Sequence, residues 1–402
     1  MTSHGRQLLF WLALAAASCF LAAPSVADEG MWLFNQPPRE LLQKKYGFNL
    51  TDEWLHRVQR ASVRLNNGGS GSFISSNGLL ITNHHVGADA LQKLSTPQRD
   101  LFHDGYLAKS PEEELRCPDL ELNVLQEIID VTEEIQKAPP PGASPKEAEA
   151  ARRAAIARIT KESLEKTGLR SDVVTLYHGG LYHLYRYKKY TDVRLVMAPE
   201  HAIAFFGGDN DNFEYPRYCL DVCFFRVYED GKPAKIEHYL PFSKTGPVEG
   251  DLVFVSGHPG TTNRLETLAQ LKHRRDALLP YMLSMLRYRE ALLLQYAEKG
   301  PQQRRDASRD LYSVANSRKA FTGQFQGLLD PAILKAKADA EQQLREFVAQ
   351  HPEQNYGDPW KTIADAQGEL AKIELEYRLL ERADAFHSRL FSIARDLVRL
   401  ST

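Results

Sequence analysis

The sequence is poor in cysteine, nearly balanced in charge and short of long apolar runs, and each shortage excludes a class of protein. Only 4 cysteines occur in 402 residues. Cys19 lies in the amino-terminal apolar run, so Cys117, Cys219 and Cys223 permit at most one disulfide bridge and no disulfide-held scaffold. Cys219 and Cys223 fit better as core residues. The net charge of −2 supplies no basic field for nucleic acid.

Metal-binding spacings are also missing from the sequence. It contains no His-Glu-x-x-His and no Cys-x-x-Cys stretch. The run Asp209-Asn210-Asp211-Asn212 is only weakly similar to a calcium loop, because the EF-hand glycine is absent and Leu220 stands at its twelfth position. We therefore expect no metal and no other cofactor.

The single long apolar run stands at the amino terminus, in residues 8–23. It is shorter than the ~20 residues that a membrane-spanning helix needs. Ser25-Val26-Ala27 follows as a small-x-small cleavage site before Asp28, so residues 1–27 are predicted to be a signal peptide. We expect an exported protein, periplasmic or extracellular, without a membrane span.

The rest of the chain changes from strand-like to helix-like patterns near residue 265. We expect a β-rich domain over residues 28–264, with a helical excursion at about 109–170, and a helical domain over 265–402. Strands are predicted within 172–198, 218–228 and 251–256 from alternating apolar residues. From residue 265 apolar residues recur at helical spacing, and the last helix runs almost to Thr402.

The stretch from Gly68 to Val86 (GGSGSFISSNGLLITNHHV) is predicted to be a hairpin. Asn77-Gly78 between apolar runs is a strong signal for a two-residue turn. A register centred there places Ser70 opposite His85. Because side chains alternate along a strand, His84 and His85 are expected to face opposite ways and cannot both serve one site.

His85 is the candidate general base. A histidine in such a place is more often structural and hydrogen-bonded to backbone. However, this hairpin resembles the first-barrel hairpin of chymotrypsin-like serine peptidases, in which the general-base histidine follows the strand. The resemblance implies that role for His85, which precedes Val86.

Asp221 is the candidate partner of His85. In the predicted strand 218–228 it shares a face with apolar residues, and a buried carboxylate is costly without a partner. A histidine Nδ1–H is a natural partner. Two alternatives stay open, an ion pair with Lys or Arg and a place at a wet strand edge. Asp209 and Asp211 are competitors in a loop, where Asp also serves turns.

Taken together, these residues resemble the bacterial dipeptidyl-peptidase 7 and 11 group of serine peptidases. The matches occur in chain order over residues 29–261 and comprise Glu29-Gly30-Met31-Trp32, Gly69-Ser70-Gly71-Ser72-Phe73, Thr82-Asn83-His84-His85, Phe206-Gly207-Gly208-Asp209, Asn212 to Pro216-Arg217, Phe225-Arg226-Val227-Tyr228 and Gly257-His258-Pro259-Gly260-Thr261. The resemblance rests on the ordered set and not on any single match.

The resemblance implies a β + α fold, in which a chymotrypsin-like antiparallel barrel is followed by an all-α domain. It also implies an exopeptidase that releases dipeptides from the free amino terminus of oligopeptides, with a homodimer left open. His85 would be the base and Asp221 its orienting acid. Asn212, Phe213 and Asn316 match residues that hold the substrate's ammonium, which needs acceptors and an aromatic face.

The sequence departs from this group in three places. Phe213 stands where the group usually has Trp, and Tyr218-Cys219-Leu220 where it more often has His-Thr-Gly. The nucleophilic serine of the group lies in a Gly-Asn-Ser-Gly stretch of a second barrel, and the 402 residues contain no such stretch. We therefore expect an incomplete barrel that is inactive by itself.

Three other interpretations compete with this one. Ser70 could act as nucleophile, but strand geometry offers it no oxyanion hole. A peptide-binding protein without catalysis would keep only the ammonium-holding loop. A serine endopeptidase of the HtrA type is disfavoured by the helices after residue 265.

Overall fold

The computed structural model describes residues 30–96, 98–260, 263–384 and 388–401. The predicted signal peptide lies outside these residues. The chain divides into two compact units. Unit 1 contains the described residues of Met1–Thr82, Ala108–Val196 and Phe224–Gly260, and unit 2 contains those of Asn83–Leu107, Met197–Cys223 and Thr261–Thr402.

Strands are concentrated in the first two thirds of the chain. They are β1 Ser62–Leu65, β2 Ser70–Phe73, β3 Leu79–Thr82, β4 Tyr106–Leu107, β5 Leu115–Arg116, β6 Leu122–Asp130, β7 Arg170–Leu176, β8 Leu181–Tyr190, β9 Asp192–Ala198, β10 Cys223–Glu229 and β11 Lys232–Pro233.

Helices occur in both units. They are α1 Arg39–Tyr46, α2 Asp52–Ala61, α3 His84–Leu94, α4 Leu101–Asp104, α5 Thr132–Gln136, α6 Pro145–Thr167, α7 Leu268–His273, α8 Leu279–Ala297, α9 Pro301–Leu329, α10 Pro331–Gln350, α11 Pro359–Glu376 and α12 Arg389–Ser401. One π-helical turn, Arg274–Leu278, joins α7 to α8, and another, Tyr377–Glu381, follows α11.

Unit 1 is built on one large sheet with the strand order β9-β10-β3-β2-β1-β6-β8-β7. The ladders from β3 to β7 are antiparallel. In β10 every second side chain is fully buried, because Cys223, Phe225 and Val227 face the core. The β + α class expected from the sequence is confirmed.

The β2–β3 hairpin forms with a different register from the predicted one. Ser72 pairs with Ile81, and the Ile74 N–H donates to the Leu79 carbonyl, so the loop contains residues 75–78. The predicted two-residue turn is therefore wrong, and Ser70 is not opposite His85. Arg226 explains the difference, because its guanidinium donates to both oxygens of Asn77 and holds that residue in the longer loop.

Two segments differ from their predicted secondary structure. Part of the predicted helical excursion at about 109–170 is strand instead, because β6 is a nine-residue strand that pairs between β1 and β8. Residues 251–256, expected to be a strand, pair with no strand in the described part of the chain. Phe254 packs on Phe48 and Trp54 instead, while Val255 is fully exposed.

Unit 2 contains the helices after residue 265. The prediction of helices there, from the spacing of apolar residues, is confirmed. Leu283 and Leu286 of α8 and Val314 of α9 are buried, and Arg318 Nη2 of α9 donates to Glu290 Oε1 of α8 at 3.1 Å. Helices α3 and α4 and the chain from 199 to 222 also belong to this unit. Among the described residues, no helix is long and apolar enough to cross a membrane.

Candidate active site

The two adjacent histidines open helix α3. Strand β3 ends at Thr82, and Asn83 is the extended cap residue before the helix, so the prediction that both histidines continue the strand is wrong. They nevertheless diverge, because successive helical residues are about 100° apart. His84 is only 1% exposed, whereas the His85 side chain is 39% exposed.

His85 and Asp221 contact each other through two hydrogen bonds. His85 Nδ1 lies 2.7 Å from Asp221 Oδ2, and the backbone N–H of His85 donates to Oδ1 at 3.0 Å. Asn83 Nδ2 adds a third hydrogen bond, to Oδ2 at 3.2 Å. The contact predicted from the sequence is confirmed. A carboxylate at Nδ1 selects the tautomer whose Nε2 accepts a proton, which is the state of a general base.

The environment of Asp221 keeps it ionised. Burial by itself would raise the pKa of this carboxyl group. The hydrogen bonds from the side chain and backbone of His85 outweigh burial and leave the pKa below its usual value. The carboxylate is therefore negative at neutral pH and can stabilise a positive charge on His85.

Asp221 precedes a strand and is not part of one. Strand β10 begins at Cys223, so the predicted strand 218–228 is wrong at its start. The backbone N–H of Leu220 donates to the carbonyl of Ile203 at 2.9 Å, which holds this extended segment. Because Asp221 is outside the ladder, its side chain can turn toward helix α3.

The competing aspartates bond within their own loop. Asp209 accepts hydrogen bonds from the backbone N–H of Gly207 and from Arg217 Nη2, each at 2.8 Å. Asp211 accepts from the backbone N–H of Tyr218 at 2.8 Å. These contacts shape the chain from 205 to 217, which we call the 205–217 loop.

The structure brings Asn212 and Asn316 together. Asn212 is 1% exposed, and its Nδ2 donates to Asn316 Oδ1 of helix α9 at 2.8 Å. Asn212 Oδ1 is buried without a hydrogen-bond partner among the described residues. Phe213 follows with a positive φ of 65° and is 62% exposed. The site thus combines a buried amide acceptor with an accessible aromatic ring.

Helix α9 fixes the 205–217 loop. Lys319 Nζ donates to the Asp209 carbonyl at 3.2 Å, and also to that of Asn210. Gly207 has a φ of +103°, and a Cβ there would lie 2.7 Å from the Tyr312 carbonyl oxygen. Only glycine fits this approach.

A pocket of about 280 Å³ lies between the loop and helices α8 and α9. It is lined by Phe205, Gly208, Asp209, Asn210, Glu290, Leu294, Leu311, Tyr312, Ala315, Arg318 and Lys319.

Sequence reasoning missed three contributors to this site. Asn83 bonds Asp221, Phe206 stacks on His85, and Arg217 lies over Phe206. All three stand inside or beside the motifs that carry the family resemblance, which was the available signal. Asn83 and Phe206 contact residues that are distant in sequence, so no local pattern assigns them a contact.

Ser70 is held by hydrogen bonds within unit 1. Its Oγ accepts a hydrogen bond from the backbone N–H of His258 at 2.7 Å, and its carbonyl accepts one from Thr82 Oγ1 at 2.8 Å. Both contacts tie strand β2 to its neighbours. They support the structural interpretation of Ser70.

Neither a metal cluster nor a disulfide bridge is seen in the part of the chain that the structure describes. No three His, Cys, Asp or Glu residues there are grouped to hold a metal ion. Cys117, Cys219 and Cys223 are present as thiols. Burial raises the pKa of the Cys117 thiol to about 12, so this residue is unreactive.

Comparison with known proteins gives consistent matches. The family model Peptidase S46 matches residues 27–402. The chain is 31% identical over 363 residues to Dipeptidyl-peptidase 7 of Phocaeicola vulgatus, covering 84% of this chain and 50% of the relative. It is 30% identical over 361 residues to the Asp/Glu-specific dipeptidyl-peptidase of Capnocytophaga gingivalis, covering 82% and 49%.

A solved structure matches as well. The crystal structure of Porphyromonas endodontalis DPP11 in complex with the dipeptide Arg-Asp superposes with a TM-score of 0.71 at 26% identity, over 88% of this chain and 54% of that one. The chain therefore spans about half the length of the relatives it matches.

Proposed function

Since the chain belongs to the Peptidase S46 family, we propose that it supplies the general base and the orienting acid of a serine-type dipeptidyl peptidase. The reaction releases dipeptides from the free amino terminus of oligopeptides. The observation that carries the proposal is the 2.7 Å contact between His85 Nδ1 and Asp221 Oδ2. The relatives named dipeptidyl-peptidase supply the reaction class.

In this proposal His85 transfers protons twice. Its Nε2 takes the proton of a serine hydroxyl as the serine oxygen attacks the second peptide carbonyl of the substrate. The protonated ring then gives that proton to the departing amine, and water repeats the cycle on the acyl-enzyme. Asp221 stays ionised throughout and stabilises the imidazolium. We place the serine in the half of the relatives that this chain does not span.

The substrate's ammonium group is proposed to bind at Asn212, Asn316 and Phe213. An ammonium has three donors and needs acceptors. Asn212 Oδ1 is a buried acceptor without a partner among the described residues, and Asn316 Oδ1 has a second lone pair. The exposed ring of Phe213 can add a cation–π contact. Recognition of a free amino terminus explains why the product is a short peptide of fixed length.

The substitution Asp221→Asn tests the proposal. It is made in the whole protein that the natural gene encodes. We expect kcat on dipeptidyl fluorogenic substrates to fall by about 10³- to 10⁴-fold, because the amide leaves His85 in the wrong tautomer. The matched control is Asp230→Asn in the turn after β10, where φ is 50° and Asn is well tolerated.

Two results would contradict this function. Full activity in D221N would remove Asp221 from the mechanism. Tight binding of peptides with free amino termini, without release of dipeptide by the wild-type protein, would instead identify a peptide-binding protein without catalysis.

A further inference from the structure

The aromatic ring of Phe206 lies flat against the imidazole of His85. The two ring centroids are 4.0 Å apart and the ring planes differ by 13°. Both residues belong to unit 2. This is the closest ring-to-ring contact that His85 makes among the described residues, and neither the pairing with Asp221 nor the ammonium site requires it.

The backbone that presents Phe206 is firmly held. Asp209 accepts hydrogen bonds from the N–H of Gly207 and from Arg217 Nη2, and the Asp209 carboxylate is only 10% exposed. The guanidinium carbon of Arg217 lies 5.4 Å from the centre of the Phe206 ring. Gly207 sits too close to Tyr312 to admit a side chain. Contacts at Gly207, Asp209 and Arg217 therefore hold the backbone that presents the ring.

One hydrogen bond cannot by itself fix an imidazole ring. The bond from Nδ1 to Asp221 fixes one edge, and the second hydrogen bond comes from the backbone of His85 and orients the carboxylate. The ring can still tilt about the line between Nδ1 and Oδ2. A parallel aromatic face at 4.0 Å blocks that tilt on one side.

We propose that Phe206 is a positioning residue for His85. Its ring holds the imidazole in the plane in which Nε2 can reach the serine hydroxyl, and its π face favours the imidazolium that forms during the reaction. This inference rests on the proposed function of His85. It assigns a second task to the 205–217 loop, which also bears Asn212 and Phe213.

Three substitutions of Phe206, made in the whole protein that the natural gene encodes, distinguish the effect of ring stacking from the effect of side-chain size. Phe206→Leu keeps an apolar side chain and removes the π face, and we expect kcat to fall about 2- to 10-fold with KM unchanged. Phe206→Tyr and Phe206→Trp retain a flat ring and should keep kcat within about 2-fold of the wild type. An effect on KM alone in F206L would overturn the proposal, since it would place Phe206 in substrate binding.

A spectroscopic readout tests the position of the ring directly. In protein labelled with ¹⁵N-histidine, the His85 signals are identified by their loss in His85→Ala. We expect wild type and F206Y to show a single Nδ1–H tautomer, with ring protons shifted upfield by the stacked ring. In F206L those protons should move downfield, while the Nδ1–H tautomer that Asp221 selects should persist. An unchanged His85 spectrum in F206L would overturn the proposal.

Phe102→Leu is the matched control, because the Phe102 ring packs on the neighbouring His84 at 5.6 Å and not on His85. It should leave both kcat and the His85 spectrum unchanged. The two hypotheses fail separately. If the wild-type gene product releases no dipeptide, the proposed function is wrong, while the spectra still decide whether Phe206 orients His85.

Discussion

At the scale of single residues, two adjacent histidines have opposite chemical environments. His84 lies between the rings of Phe102 and His201, and its Nε2 has no hydrogen-bond partner among the described residues. Burial, and next the positive charge that His201 can carry, lower the pKa of His84 to about 4. The His85 side chain is instead 39% exposed and contacts the carboxylate of Asp221, which is 13% exposed. One step along a helix therefore separates a buried imidazole from the candidate general base.

The low pKa of His84 predicts a loss of stability in mild acid. The unfolded chain binds a proton on this residue below pH ~6.5, whereas the folded chain resists it until about pH 4. The free energy of unfolding must therefore fall as the pH drops through this window and be unaffected by His84 above it. The shift corresponds to about 3 kcal/mol.

Urea unfolding at pH 7 and pH 4.5 measures this effect. We expect His84→Gln to lose about 2 kcal/mol less than the wild type between the two pH values. Burial also lowers the pKa of His258 to about 4, so part of the dependence persists in H84Q. The exposed His56→Gln is the control. Equal losses in wild type and H84Q would contradict the prediction.

At the scale of elements, the hairpin turn shows how tertiary contacts override local sequence signals. Gly78 has a φ of +77°, as the Asn-Gly signal predicts. The loop is nevertheless longer, because Arg226 of β10 holds Asn77 and the Val227 N–H donates to the Gly78 carbonyl. The sequence identifies the glycine correctly, but the register depends on a strand far along the chain.

Gly78→Ala should destabilise the β2–β3 hairpin. A Cβ there would lie 2.9 Å from the Val227 carbonyl oxygen and the backbone is left-handed, so we expect a loss of about 1–3 kcal/mol. Gly231→Ala isolates the backbone term, because Gly231 has a φ of +73° and open space around it.

Thermal unfolding of the two variants provides the measurement. The transition temperature should fall further in G78A than in G231A, and the difference reports the clash with Val227. An equal decrease in the two variants would show that backbone strain alone matters at Gly78.

Those residues of the candidate site whose type is set by the chemistry could be predicted from the sequence. The contacts that depend on packing could not. The need of a buried carboxylate for a partner identifies Asp221, and the structure confirms its contact with His85. The local structure around both residues was predicted wrongly, as strand in each case. The stacking of Phe206 on His85 was not predicted, because a contact between a helix and a loop distant in sequence leaves no periodic pattern.

At the scale of the whole molecule, the helices after residue 265 were predictable from sequence pattern, whereas the inclusion of Asn83–Leu107 and Met197–Cys223 in the same unit was not. Helical spacing after residue 265 is a repeated local signal, and those helices form. The strand predicted at 251–256 does not form, because a strand needs a neighbouring strand to accept its hydrogen bonds and this need is not local. The alternation of apolar residues in the sequence does not show whether a neighbouring strand is available for pairing.

The predicted export of the protein has a direct test. If residues 1–27 are a signal peptide, the mature chain begins at Asp28, after Ser25-Val26-Ala27. Amino-terminal sequencing of protein recovered from the cell envelope or medium should read Asp28-Glu29-Gly30. A chain that starts at Met1, or one lipidated at Cys19, would contradict it, and Ala27→Arg should retain the uncleaved form.

The 205–217 loop also constrains how this protein can evolve. Phe206 and Asn212 sit on one short piece of backbone that Gly207 and Lys319 fasten to helix α9. A single inserted or deleted residue between them would displace either the ring from His85 or the amide from Asn316. We therefore expect insertions and deletions between Phe206 and Asn212 to be poorly tolerated, whereas substitutions at Tyr215, which is 98% exposed, should have little effect.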